Sequence, residues 1–414
     1  MTKTSPLPAP AASHRPAVPA SHPALPGERV ASVDVYRGFV MILMMAEVLS
    51  LSSVSKAFPD SGFWHFLAFN QSHVDWSWLS LHDMIQPSFT FLVGVVLPYS
   101  IASRKKRGAS MADLLRHTVV RSLILIFLGI FLRSLHSSQT NFTFEDTLTQ
   151  IGLGYTFLVL LGFTSQRVQV ITLVVVLAGY WLAFALYPLP GPGFDYAAAG
   201  VSPGWEHNFQ GLAAHWNKNT NLAWAFDRWF LNLFPRESPF LYNGGGYATL
   251  SFIPTLGTMI LGLFAGNILR AATPAVQKLR RYILIGLILT AIGVVLHVTG
   301  INPVVKRIWT PAWTIFSGGI CFLMLAFFYG VIDMAGIRRW SYVLMIVGVN
   351  SIAAYVIADG FASFIKESLY IHLGRNYDQV FGPGYATLIR GGMILLIEWL
   401  ILRWMYKKKI FIKI

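Results

Sequence analysis

From residue 31 onward the chain alternates long apolar runs with short polar clusters. Ten runs approach the length of about 20 apolar residues that a helix needs to cross a hydrocarbon core. They lie near 34–54, 83–102, 118–135, 147–164, 168–187, 248–269, 282–299, 311–332, 341–365 and 385–406. The pattern predicts an all-α, polytopic membrane bundle of about ten transmembrane helices. Asp34, Arg37 and Glu47 weaken the first run, and Pro87 and Pro98 fall in the second. Bundled helices tolerate such prolines by re-satisfying the freed backbone groups.

The clusters between the runs set an orientation. "SRKKRG", "LRRY" with Arg270 and Lys278, "RRW", and "YKKKIFIKI" all fall on one side if ten helices alternate. The positive-inside rule makes that side cytoplasmic, with both termini inside. The opposite side receives the polar stretch around His73, the acidic "TFEDT", and a long connection over 188–247. Lys306 and Arg307 are a sparse outer cluster that runs against this assignment.

Residues 1–30 are rich in Pro and Ala and lack an apolar core, which predicts a disordered, dispensable cytoplasmic tail and no signal peptide. Residues 31–414 then form the membrane domain, with 188–247 as an outer loop or cap. That segment exceeds the usual connection length. It carries Trp205, Trp216, Trp224 and Trp229 with His207, His215, Asp227 and Arg228. Aromatic faces beside carboxylates suit a sugar, whereas interfacial anchoring and cap packing account for most of these tryptophans.

Composition agrees with a membrane protein. The 414 residues are 55% hydrophobic and 12% charged, against about a quarter charged in soluble domains. The net charge of +14 sits in loop clusters and forms no stripe for nucleic acid. A single cysteine, Cys321, excludes an intrachain disulfide.

Candidate chemistry centres on "FNQSHVDWSWLSLHDMIQP", which sets His73, Asp75, His82 and Asp83 at the mouth of the second run. Their spacing matches no standard zinc pattern, so no metal is expected. Ser88 and Ser351 lack a nucleophile-elbow frame, and "NGGGY" lacks the lysine of a phosphate loop. A histidine remains, as general base or acyl carrier, with Asp75 or Asp83 fixing its tautomer. A polar loop histidine and a capping aspartate account for the same residues.

The chain also resembles the heparan-α-glucosaminide N-acetyltransferase family and its bacterial relatives. "SVDVYRG" supplies Ser32, Asp34, Arg37 and Gly38 of that family's opening element. "HVDW" gives His73 and Trp76 of its His-x-x-Trp segment, "DMIQP" gives Asp83 and Pro87, and "FTFLVG" gives Gly94. "LTQIGLGY", "NLAWAFDR", "IPTLGTMILGLFAG" and "GVNSIAAYV" are weaker echoes, so the likeness covers about residues 31 to 414. Three departures stand out. Glu47 and Val48 lie where the family often has Asn, Gln150 replaces an Arg, and "YNGGGY" replaces Asp-Pro-Glu-Gly.

The resemblance implies transfer of an acetyl group from acetyl-CoA to an amino sugar of a glycan on the outer side of the membrane. It makes His73 catalytic, oriented by Asp83 or Asp75. Trp76, His82 or Asn350 would donate to the oxyanion, and Asp227 and Arg228 would belong to the acceptor side. Arg104, Lys105, Lys106 and Arg107 would attract the CoA phosphates, although their plainer role is to set topology. The other expectations are membrane lipid around the helices, a homodimer, and a bacterial inner membrane. A sugar or lipid-linked glycan transporter with His73 as proton relay, or a structural membrane subunit, are the rival readings.

Overall fold

The computed structural model describes residues 30–202 and 204–412. The expectation of a disordered tail over residues 1–30 lies outside the described residues except at Val30, which precedes the first helix. Among the described residues fourteen α-helices follow one another: α1 Ala31–Met45, α2 Leu51–Ala57, α3 Gly62–Asn70, α4 Ile85–Lys106, α5 Met111–Ser134, α6 Thr147–Leu161 and α7 Gln166–Ala185. Then come α8 Leu222–Phe230, α9 Phe252–Arg270, α10 Ala275–Val298, α11 Pro311–Phe328, α12 Tyr342–Gly348, α13 Ser351–Leu373 and α14 Ala386–Lys407.

Each of the ten apolar runs is helical, but not each is a straight span. Seven are long and apolar enough to cross a membrane. Two more do so only as bent pairs, α1 with α2 at 45° and α12 with α13 at 83°. The run at 147–164 yields α6, whose 15 residues fall short of a full crossing. The protein is a multi-pass helical membrane protein. Local signals set the helix starts. The Asp146 side chain accepts from the backbone N–H groups of Leu148 and Thr149 to open α6, and Thr310 caps α11 with Pro311 at its first position.

Helices α4, α9 and α11 bury most of their surface, while α7, α10 and α14 leave most of theirs facing outward. The α4–α9 contact is close because glycine permits it. A Cβ at Gly262 would lie 1.9 Å from the Phe91 carbonyl oxygen, and one at Gly266 would lie 2.3 Å from that of Val95. Gly262 and Gly266 are one helical turn apart, the small-xxx-small spacing that lets membrane helices touch backbone to backbone.

Phe91 meets Gly262 and Val95 meets Gly266, so α4 and α9 run parallel. The Thr314 hydroxyl donates to the Pro254 carbonyl at 3.2 Å, aligning α11 with them. Helix α1 runs the other way. Ser32 donates to Asp333 at 2.5 Å at one end, and Glu47 follows its last turn at the other. The clusters at Arg104–Arg107, Arg270 and Arg338–Arg339 therefore share one end of the bundle, and His73, His82 and Glu47 occupy the other. The "SVDVYRG" element is structural here. Arg37 pairs with Asp34 at 3.0 Å, and Gly38 lets α1 approach α12, where a Cβ would meet the Leu344 oxygen at 1.8 Å.

The segment 188–247 folds over the His73 end of the bundle as a cap of short helices around Trp216, which is fully buried and stacked on Phe184. Asp227 pins that cap to the bundle. It is buried on α8 and accepts from the Thr249 N–H, just ahead of α9, at 2.9 Å.

Candidate active site

The loop between α3 and α4 carries His73, and the short 3-10 turn His82–Met84 that opens α4 carries Asp83. His73 Nδ1 and Asp83 Oδ1 are 2.7 Å apart. The other carboxylate oxygen of Asp83 accepts from the Val74 and Ser80 N–H groups at 3.2 and 3.0 Å and from the Ser80 hydroxyl at 3.1 Å. Five donors around a carboxylate buried to 1% make it a fixed acceptor. Its bond holds the Nδ1 proton of His73 and leaves the Nε2 lone pair free. The ring itself is about one-third exposed.

The fifth donor was hidden in the sequence. Lys306 Nζ lies 3.2 Å from Asp83 Oδ1 and 3.1 Å from His73 Nδ1, and its side chain is only 5% exposed. A short antiparallel bridge, Ser77 with Val305, and a Trp78 N–H bond to the Val304 carbonyl at 3.1 Å clamp the two loops together. Trp78 adopts a φ of 72° to make this turn. Next to it Arg307 donates to the carbonyls of Gly245 and Val74, both at 2.9 Å, and lies over the Tyr247 ring. The apparent exception to the charge rule is thus a pair of site residues. The signal for them was two adjacent cations in an otherwise neutral connection, at the end opposite the other basic clusters.

Burial holds the His73 imidazole below its ordinary pKa; the bond to Asp83 opposes this and the Lys306 charge adds to it. Burial lowers the Lys306 ammonium as well, against the pull of Asp83. Burial pushes the Tyr247 phenol, also near His73, up to about 12, so that it keeps its proton.

A second histidine–carboxylate pair stands beside the first. His82 Nε2 is 3.0 Å from Glu47 Oε1, and the His82 ring centroid is 4.5 Å from that of His73. His82 is buried, whereas the Glu47 carboxylate is 57% exposed. A partly exposed imidazole with one free nitrogen, held by a buried carboxylate and flanked by a second pair, can take up protons or an acyl group.

No family model matches the chain. It is 25% identical over 427 residues to the human heparan-alpha-glucosaminide N-acetyltransferase and 24% identical over 431 residues to the mouse one. Each alignment covers 93% of this chain. These relatives are N-acetyltransferases. The chain spans about 60% of their length.

Of the residues that the N-acetyltransferase resemblance nominated, the structure brings together His73, Asp83 and His82. Others it places elsewhere. Asp75 is 77% exposed and faces His207 at 3.5 Å, so Asp83 alone orients His73. The Trp76 indole N–H is spent on the Trp216 carbonyl at 3.2 Å and has no hydrogen left for an oxyanion. Asn350 sits at the basic end, donating to the Ile410 carbonyl at 2.7 Å and accepting from the Ile412 N–H at 3.0 Å. The length of α1, on the order of 20 Å at 1.5 Å per residue, separates that end from His73. Asn350 therefore supports the bend between α12 and α13. Asp227 ties down the cap, as described above; burial raises its pKa to about 7, against the Thr249 N–H. Arg228 lies over the Trp224 ring on the cap surface. Arg104 contacts His117 and Lys105 lies over Phe163, both at the basic end with Lys106 and Arg107.

The departures from the family pattern are also located. Gln150 donates to the carbonyls of Phe144 and Thr249, bridging α6 to the start of α9. "YNGGGY" forms a turn in which the Asn243 side chain accepts from Gly245 and Tyr247, packing Gly246 on Trp76. Glu47 has become the partner of His82.

Proposed function

We propose that the protein is a membrane-embedded acetyltransferase that moves an acetyl group from acetyl-CoA to an amino sugar of a glycan at the outer face. One observation carries the reading: His73 is held through Nδ1 by a buried, saturated Asp83 and presents a free, uncharged Nε2. That atom can take a proton from the acceptor amine or take the acetyl group itself. The likeness to two N-acetyltransferases over 93% of the chain supports the same reaction class. The direct test is purified protein with labelled acetyl-CoA and a panel of amino sugars, read by mass spectrometry. Transport of an unmodified sugar with no acetylated product would defeat the proposal in favour of the transporter.

The orientation belongs to this proposal, with the basic end in the cytoplasm and His73 and the cap outside. Cysteine substituted at 106, 215 and 409 should label from the inside, outside and inside, in that order. The opposite pattern overturns the assignment. Arg104–Arg107, on the inner side, are the proposed attraction for the CoA phosphates.

The reactive imidazole must be neutral, and its pKa lies below the ordinary value of about 6.5. The acid limb of kcat/KM should accordingly fall on the acidic side of that value. Removing the Lys306 charge by Lys306→Met takes away a repulsion of the imidazolium. The His73 pKa then rises, and the limb should move toward alkaline pH. A limb that stays in place would show that Lys306 does not act on His73.

A further inference from the structure

His73 has one free nitrogen, and acetyl transfer to a protonated amine asks for two acceptors. Something must bond the acetyl carbon while something else strips the ammonium. The neighbours of His73 narrow the choice. Asp83 is buried and saturated with donors, Lys306 bonds to it, and Tyr247 holds its proton. Glu47 differs from all of these. One of its oxygens meets His82, the other has no partner among the described residues, and more than half of its surface is accessible. Glu47 lies within electrostatic reach of His73 and Lys306 and of Tyr355 and Asp359 on α13, and the ring of its partner His82 is centred 4.5 Å from that of His73.

We propose that the two dyads divide the reaction, with His73–Asp83 carrying the acetyl group and Glu47, supported by His82, deprotonating the acceptor amine. The inference rests on the acetyltransferase reading. In the first half, His73 Nε2 attacks the thioester carbon. A C–N bond forms, the C–S bond breaks, and sulfur leaves with the bonding pair as the CoA thiolate. The Nδ1 proton stays in the bond to Asp83, whose charge offsets the acetyl-imidazolium. In the second half, the acceptor ammonium gives one proton to the Glu47 carboxylate. The freed amine attacks the acetyl carbon, and the C–N bond to His73 breaks with its electron pair returning to Nε2. The second proton leaves the nitrogen for Nε2 and passes to water, which yields the amide. Glu47 is the catalytic residue of this half. His82 is a positioning residue that holds the carboxylate, and Glu47 releases its proton to water before the next cycle.

The experiment separates the halves. Wild type, Glu47→Gln and His82→Gln are mixed with radiolabelled acetyl-CoA, and acetyl bound to His73 is quantified by quench and peptide mass spectrometry. The acetylated protein is then chased with glucosamine or with hydroxylamine, which is already unprotonated at neutral pH. Glu47→Gln should acetylate near the wild-type rate, lose about 10²–10⁴-fold in transfer to glucosamine, and keep transfer to hydroxylamine. His82→Gln should show the same split with a smaller loss. If Glu47→Gln fails to fold, the split is read from His82→Gln and Glu47→Asp. Equal losses with both acceptors, or slowed acetylation, would overturn the assignment. Wild-type turnover without acetyl-His73 would also overturn it while leaving the acetyltransferase reading intact. A wild-type protein that consumes no acetyl-CoA would remove both.

Discussion

Replacing His73 by alanine should abolish acetyl transfer and leave the fold in place. The ring is partly exposed at the end of a large apolar bundle, so its loss removes little packing. Its removal deletes the only free imidazole nitrogen of the dyad, an effect of about 10²–10⁴-fold or more in rate. Turnover of acetyl-CoA with a glucosamine-type acceptor, beside a melting curve in detergent, measures both halves of the expectation. A well-folded variant working at the wild-type rate would remove the site. Asp83→Asn is the less clean experiment. From the sequence alone it keeps the geometry and loses a charge, but the structure adds Lys306, which would be left buried without its counter-ion. Breaking one partner of a buried pair costs about 3–5 kcal/mol, so the melting temperature should fall along with the rate.

The largest structural effect is expected at Gly262. A leucine there would drive its Cβ into the Phe91 backbone at 1.9 Å, in the contact between two buried helices. Backbone cannot yield as a side-chain tip can, so the cost should reach or pass the upper end of the about 1–3 kcal/mol typical of overpacking. Loss of the monodisperse peak in detergent, or a large drop in melting temperature, is the expected result. Gly392→Leu on α14 provides the control, because nothing lies within 4 Å of a Cβ there. Equal behaviour of the two variants would contradict the packing described for α4 and α9.

Much of the fold was legible because apolar length is a local property. All ten runs became helices, the prolines of the second are accommodated within α4 as expected, and the first run, weakened by Asp34, Arg37 and Glu47, is one of the two that bend. The 83° break at Asn350 was not legible, since it depends on residues 410 and 412 reaching back to that amide. The short α3 was missed as well, its nine residues being too few for a membrane signal.

The site divides the same way. His73 and Asp83 are ten residues apart, and the resemblance drew attention to both. Lys306 lies 233 residues from His73 and carries a sign that pointed to topology instead. A charge votes on orientation only where it meets water or headgroups, and this one meets a carboxylate. Trp76 and Asn350 have the right chemistry for an oxyanion, but the one indole N–H of Trp76 is engaged by the Trp216 carbonyl and Asn350 lies at the opposite end of the bundle, both consequences of long-range packing.

Arg307 has one consequence for how such a protein can vary. A single guanidinium fastens Val74 and Gly245 and covers Tyr247, so three stretches of irregular backbone are riveted at one point. Chain inserted upstream of Asn243, in exposed parts of the cap, adds only a slowly growing loop-closure entropy and leaves the rivet untouched. A residue added between Asn243 and Tyr247 would pull the carbonyl from the guanidinium and slide the floor beneath His73. Length can therefore vary in the exposed stretches of the cap, while Trp216, Asp227 and the turn from Asn243 to Tyr247 stay fixed to the bundle.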